Sequence, residues 1–308
     1  MKLFITGGAG FLGKEIVKEY YNKAEITIYS RDEAKHYFLK KKFPKIKCVI
    51  GDVADFDHMN RAARGHDYGV FAASLKQIEA VDQNVDIAIR TIINGATNSR
   101  KVAEENNFKA ACFISSDKSR SATTLYGAMK FIGGEAFIVN AEESNVKLTT
   151  AIYGNVLNST GSIIPLILDS IKNNYELKLY SKDMTRFMID VDEAINLIKN
   201  SFNFTGYNLI PNISSFKVSD LFEIYKEEFG LKYSLGKPRI SEKIHEIMIA
   251  KEEIPRTYLD PKTNMFMMHY RDVINDNKIN FKEFSSKNVV VSKEELYEKL
   301  KSNNFFKN

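Results

Sequence analysis

Short apolar runs of five to seven residues recur along the first half of the chain: KLFIT from Lys2, EITIYS from Glu25, KCVIG from Lys47, YGVFAAS from Tyr68, ACFISS from Ala111 and LTTAIYG from Leu148. Each is rich in β-branched and aromatic residues, and each predicts a buried strand. The segments between them, such as 13–22 and 86–105, have helical length. Strands alternating with helices imply a parallel sheet with right-handed crossovers, an α/β doubly wound arrangement of the Rossmann kind, whose ligands sit beyond the carboxyl ends of the strands. After about Tyr153 the pattern loosens. Residues 1–155 are therefore expected to form the sheet domain, with about 185–212 returning to it, and 156–308 to form mostly a smaller, substrate-binding region. Ser219 and Ser292 read as helix N-caps, the second with Glu295 completing a capping box.

Composition narrows the function classes. The 308 residues are 44% hydrophobic, enough for a well-cored globular chain, and 44 basic against 39 acidic residues leave a net charge of +5. That mild excess suits an anionic small molecule and gives no reason to expect a nucleic acid. The run Lys40-Lys41-Lys42 reads as a solvated face. Cys48 and Cys112 lie within apolar runs, and with no CxxC or HExxH spacing neither a disulfide framework nor a metal site is expected. No run approaches the roughly 20 apolar residues of a membrane span, and MKLFIT enters a strand without a leader. A cytoplasmic location away from membranes is the expectation.

The first strand runs into Thr6-Gly7-Gly8-Ala9-Gly10-Phe11-Leu12-Gly13 and then a helix. In that context the glycines form a dinucleotide fingerprint: Gly7 for the tight turn, Gly10 for close approach to the pyrophosphate and Gly13 for helix–strand packing. The helix N-terminus offers its free N–H groups to phosphate. Some 20 residues on, an NAD-binding chain carries an acidic residue, but here Tyr29-Ser30-Arg31 follows. The hydroxyl of Ser30 and the guanidinium of Arg31, reinforced by Lys35, favour the extra phosphate of NADP over NAD. Ser30-Arg31-Asp32-Glu33 also reads as a capping box. Asp52 and Val53, after the third strand, are placed to meet the adenine.

The fifth strand ends in Ser115-Ser116-Asp117-Lys118, and Tyr126-Gly-Ala-Met-Lys130 follows eight residues after that lysine. YxxxK spacing puts both side chains on one helical face. An adjacent ammonium is expected to draw the tyrosine from about 10 toward neutrality, so that it takes a proton from a sugar hydroxyl as hydride leaves.

These motifs, with SRDEAK at Ser30, GDVAD at Gly51, AASLKQI at Ala72, YGNVLNSTGSIIP at Tyr153, MTRFMI at Met184, IPNISSFKVSDL at Ile210 and RISEKIHEIMIAKEE at Arg239, run nearly end to end. In order and spacing the chain resembles the extended short-chain dehydrogenases, and within them the inverting, 5-epimerising UDP-N-acetylglucosamine 4,6-dehydratases of pseudaminic acid synthesis. The resemblance implies a homo-oligomer that binds NADP through the fingerprint residues and Ala72, and a UDP-N-acetylglucosamine substrate. It makes Asp117 the acid for the C6 hydroxyl and Lys118 the amine base for the C5 proton, which requires a lysine well below its usual value of about 10.4. To Lys76, Asn155, Thr185, Arg239 and Glu242, with Arg186 beside them, it gives the diphosphate, uracil and sugar. Departures occur at Phe71-Ala-Ala-Ser-Leu-Lys76, where members usually read His-Ala-Ala-Ala-Leu-Lys, at Ile152, usually Arg, and at Ile92, usually Asn. The L-fucosamine-route relatives typically carry Met where this chain keeps Tyr126. A UDP-sugar 4-epimerase would use the same Tyr and Lys but has no need of an Asp-Lys pair, and a catalytically silent NADP sensor would need none of the four.

Overall fold

The computed structural model describes residues 1–157, 159, 161–238, 240–275 and 279–306. Six strands match the apolar runs: β1 (Lys2–Thr6), β2 (Glu25–Ser30), β3 (Lys47–Ile50), β4 (Tyr68–Phe71), β5 (Ala110–Ile114) and β6 (Lys147–Ala151). They pair in parallel in the spatial order β3-β2-β1-β4-β5-β6. Chain direction of the crossovers reverses between β1 and β4, so a crevice opens where both strands end. Register brings Thr6 beside Tyr29 on one side and Phe71 on the other.

The sheet also recruits the second half of the chain. Tyr207–Pro211 continues it in parallel beside β6, and Met265–His269 and Thr257–Asp260 close that edge antiparallel. Among the described residues there are also three smaller sheets. One joins Thr185–Ile189 to Asn155–Val156 and Ser215–Lys217, and another pairs Ile247–Ile249 with Phe284–Ser285.

Period-two alternation explains both cores. Leu3, Ile5 and Ile28 face the helices Phe11–Tyr20 and Val191–Ser201, meeting Ile16, Val17, Ala194 and Ile198. Phe4, Tyr29, Phe71 and Phe113 face the other way, against Phe137, Val102 and Met59. Each such side chain contributes on the order of 1.5–3 kcal/mol of apolar burial. A third cluster unites the helices Ile163–Asn173, Val218–Phe229 and Lys293–Ser302 through Ile164, Ile167, Leu221, Tyr225, Leu296 and Leu300.

Three local expectations need correction. The segment 86–105 is not one regular helix: Val85–Ala88 leads into a π-helical stretch, Ile89–Asn94, before Gly95–Glu105. Ser219 does not cap its helix, which begins at Val218 after Lys217; its hydroxyl donates instead to the Lys182 carbonyl at 3.0 Å. Nor does Ser30 open a capping box. Asp32 caps the helix Glu33–Lys42 by accepting from the Lys35 N–H at 3.0 Å, while Ser30 Oγ is engaged with His36 Nε2 at 2.6 Å. Ser292 and Glu295 do form the expected reciprocal box.

Candidate active site

Two clefts flank the fingerprint turn. The first, about 940 Å³, is lined by Gly7, Gly10, Ser30, Arg31, Lys35, Asp52 and Val53 among others. Gly7 has φ +68°, and a Cβ there would lie 2.9 Å from the Ala73 nitrogen, so the turn is a cradle only glycine permits. The Ala73 N–H donates to Thr6 Oγ1 at 3.3 Å, tying the ends of β1 and β4 together across the crevice. Helix Phe11–Tyr20 starts directly after Gly10 with no side-chain cap, leaving N–H groups for a phosphate. The residues present therefore fit a dinucleotide. At the far end, Arg31 lies 3.7 Å from Asp52 and Lys35 pairs with Asp32 at 2.6 Å, so two cations and two carboxylates share this rim.

The second cleft, about 1250 Å³, shares Gly7 and extends past Phe11, Leu12, Gly13 and Ala72 to Lys76, Asp117, Lys118, Tyr126, Lys130 and Asn155. The sequence-predicted acid, base and Tyr–Lys pair thus line one cavity with the fingerprint turn. Local structure dictates this. β5 ends at Ile114, Ser116 Oγ accepts from the Lys118 N–H at 3.3 Å to start the turn Asp117–Ser119, and Thr124 caps helix Leu125–Ile138 through the Gly127 N–H at 3.1 Å. A Cβ on Gly127 would come within 2.2 Å of the Lys118 carbonyl oxygen. The glycine within YGAMK lets the helix Leu125–Ile138 press against the Asp117–Ser119 turn.

The electrostatics correct two expectations. Burial pushes the Tyr126 phenol up to about 12, with Lys118 the main cation drawing it back down. Burial also lowers the Lys130 ammonium to about 7, while its Nζ donates to the Ile114 carbonyl at 2.8 Å. Lys130 therefore does not pull Tyr126 toward neutrality here: desolvation dominates both groups. Lys118 departs the other way. Burial opposes its charge, but Asp117 Oδ1 at 3.4 Å and Glu246 Oε1 at 3.0 Å outweigh it and raise Lys118 above its ordinary value. It is held as an ammonium, not as the free amine expected of a base. Burial raises the Asp117 carboxyl despite Lys118, which suits a proton donor. Asp117 is 1% exposed, and its Oδ2 is buried without a hydrogen-bond partner.

Glu246 went unnoticed in the sequence. It is 2% exposed, and although burial disfavours its charge, Lys118 and Arg186 keep its carboxyl below the usual value. Its signal is a carboxylate directly before the apolar Ile247-Met248-Ile249, where burial demands a partner for the charge. Arg120 is a second omission. Nearly fully buried, it bonds Glu135 at 3.0 Å and Glu253 at 2.8 Å, joining helix Leu125–Ile138 to the C-terminal part of the chain.

The residues expected to hold the sugar nucleotide are dispersed. Lys76 and Asn155 line the large cleft, and burial lowers the Lys76 ammonium. Glu242 lines a neighbouring cavity of about 600 Å³ together with Lys118, Lys243 and Glu246. Arg186 is engaged internally, with Glu242 at 2.6 Å and Glu246 at 3.6 Å, and so serves the Lys118 network in this structure. Thr185 is buried, its hydroxyl bonded to His245 at 2.9 Å and Ser286 at 2.7 Å. Arg239 lies outside the described residues.

Lys130 carries a pH signature. Between its lowered value near 7 and the ordinary lysine value of 10.5, the unfolded chain binds more protons than the folded one. Stability from this group therefore rises with pH across that window, and its penalty is complete below about 7. Lys130→Met removes the penalty. The melting temperature of the variant relative to the parent should be most favourable at pH 6 and decline toward pH 10, by roughly 2–6 °C in all. Loss of the bond to Ile114 shifts both ends equally, so a difference independent of pH would count against the buried ammonium.

The comparisons agree with this geometry. Residues 3–268 match the family described as polysaccharide biosynthesis protein. The inverting UDP-N-acetylglucosamine 4,6-dehydratase of Campylobacter jejuni subsp. jejuni serotype O:2 is 33% identical over 267 residues, covering 83% of this chain and 79% of its own. The uncharacterized membrane protein MJ1061 of Methanocaldococcus jannaschii is 32% identical over 97% of this chain and 94% of its own; no helix among the residues described here is long and apolar enough to cross a membrane. Among solved structures, Pen from Bacillus thuringiensis superposes with a TM-score of 0.91 at 26% identity, covering 99% of this chain and 98% of that one. With its glycine cradle at the reversal of a doubly wound sheet and this extent of matching sequence, the chain belongs to the polysaccharide biosynthesis protein family and has the extended short-chain dehydrogenase fold.

Proposed function

We propose that the chain is a nucleotide-sugar 4,6-dehydratase that acts on UDP-N-acetylglucosamine with NADP, inverting C5 and yielding a UDP-4-keto-6-deoxy-N-acetylhexosamine for surface glycan synthesis of the pseudaminic acid type. The observation that carries this reading is the placement of Asp117 and Lys118 in one cleft with Tyr126 and Lys130. When bound, the nicotinamide would supply reversible hydride chemistry, acceptance from C4 and return to C6 after water has left. Tyr126 takes the C4 hydroxyl proton, its phenolate favoured by the Lys118 charge. Asp117, its carboxyl raised by burial, takes up the proton that Lys118 sheds 3.4 Å away and passes it to the departing C6 hydroxyl. Lys118, once its proton has passed to Asp117, takes the C5 proton as a free amine, with Glu246 3.0 Å away holding its Nζ in place.

Incubation with UDP-N-acetylglucosamine should give a product lighter by one water, and proton NMR of that product reports the C5 configuration. The UDP-glucose 4-epimerase of Rickettsia massiliae, 29% identical over 82% of this chain, keeps an epimerase as the second reading. An unchanged product mass with a new C4 configuration would establish it. Exposed Leu125, Phe131 and Ile132 on the catalytic helix support self-association, and two free cysteines suit a cytoplasmic setting.

The cofactor assignment rests on Ser30, Arg31 and Lys35 at the rim of the smaller cleft. Arg31→Asp is expected to weaken NADP by about 10- to 100-fold while changing NAD much less, because a carboxylate repels the additional phosphate. Titration of both dinucleotides decides it; equal losses would remove the phosphate role of Arg31.

A further inference from the structure

The helix Glu33–Lys42 buries one polar side chain against the cofactor rim. His36 is 4% exposed, its Nε2 lies 2.6 Å from Ser30 Oγ, and its Nδ1 is buried without a hydrogen-bond partner. Burial lowers the imidazole below its ordinary value, so the ring is neutral at pH 7 and carries a single proton. The proton's position follows from what each choice leaves unpaired. Placed on Nδ1, it would be a buried N–H donor with nothing to receive it, while Nε2 accepted from Ser30. Placed on Nε2, it is donated to Ser30 Oγ, and only a lone pair on Nδ1 goes unmet. Orphaned buried donors are the rarer and costlier case.

The second arrangement fixes the direction of the serine hydroxyl. With its oxygen accepting from His36, the Ser30 O–H is free to turn outward into the cleft it shares with Arg31 and Lys35. We propose that His36 is a positioning residue for cofactor selection, holding Ser30 as a hydrogen-bond donor toward the 2′-phosphate of NADP. In the alternative tautomer the hydroxyl proton would be spent on the ring, and the oxygen's lone pairs would face the phosphate. The inference rests on the NADP reading above and adds to it a residue that never touches the cofactor.

The test is a double-mutant cycle on dinucleotide affinity in the full chain, with NADP and NAD as probes and melting temperature as a check on folding. Ser30→Ala is expected to weaken NADP by about tenfold, the effect of one hydrogen bond to a charged group. His36→Leu should weaken NADP by about three- to tenfold and NAD by less than twofold. In the Ser30→Ala background His36→Leu should add nothing, because the hydroxyl it orients is gone. His36→Gln, whose amide N–H can donate to Ser30, should restore most of the loss, which a general packing role would not predict. Additive losses, or His36→Leu with unaltered NADP affinity, overturn the inference while leaving the cofactor reading intact. A parent protein that holds NADP no tighter than NAD, with Arg31→Ala indifferent to the phosphate, overturns both.

Discussion

Tyr126→Phe is expected to slow C4 oxidation, and with it every later step, by about 10²- to 10⁴-fold, the range for loss of a positioned general base. The substitution removes one oxygen and leaves the ring, which packs with Met129 and Ile92 among buried apolar neighbours, so folding should be unaffected. Phenol burial makes a further demand. Because Tyr126 stands near 12, its phenolate fraction grows with pH throughout the neutral range, and the oxidation half-reaction in the parent should accelerate from pH 7 to pH 9. Single-turnover formation of reduced cofactor absorbance measures both effects. Full activity in Tyr126→Phe would transfer the base role elsewhere in the cleft.

What the sequence made legible was whatever depends on local periodicity or on a motif's own backbone. The six apolar runs became six strands because alternation of Leu3 and Ile5 with Phe4 serves two opposite cores, and the glycine turn was readable because Gly7 must adopt a positive φ. The cleft residues Asp117, Lys118, Tyr126 and Lys130 lie close along the chain and close in space. Protonation states were a different matter. They depend on Glu246 and Arg186, which approach Lys118 and each other from distant parts of the chain, and no spacing rule encodes that meeting. The same holds for the sheet edge: Thr257–Asp260 and Met265–His269 read as loose polar-flanked segments until Tyr207–Pro211 gives them a partner. The misplaced caps share a cause, since Ser30 and Ser219 are each drawn off by another partner, the His36 ring within the helix and the distant Lys182 carbonyl, which a capping pattern does not weigh.

Lys118→Ala should slow C4 oxidation through loss of the cation beside Tyr126 without abolishing it, and should stop water loss, with reduced cofactor absorbance accumulating on addition of UDP-N-acetylglucosamine and dehydrated product falling by about 10²- to 10⁴-fold. Removing one member of a buried ionic cluster also leaves Asp117 and Glu246 without their shared cation, so both carboxyls should rise and take up protons rather than remain charged. Lost dehydration alone would therefore not separate a base from a structural cation. Glu246→Gln makes that separation. It keeps the shape of the side chain but deletes one of the two negative charges that hold the Lys118 proton, so the amine form becomes available at lower pH. If Lys118 is the C5 base, the rising limb of the dehydration rate should move to lower pH in Glu246→Gln, and in Lys118→Ala the Glu246 substitution should have no further effect on that limb. If the ammonium itself is the working form, the shift appears instead as an earlier decline on the alkaline side. Should Lys118→Ala dehydrate at the parental rate, the division between Tyr126 for oxidation and the Asp117–Lys118 pair for elimination does not hold.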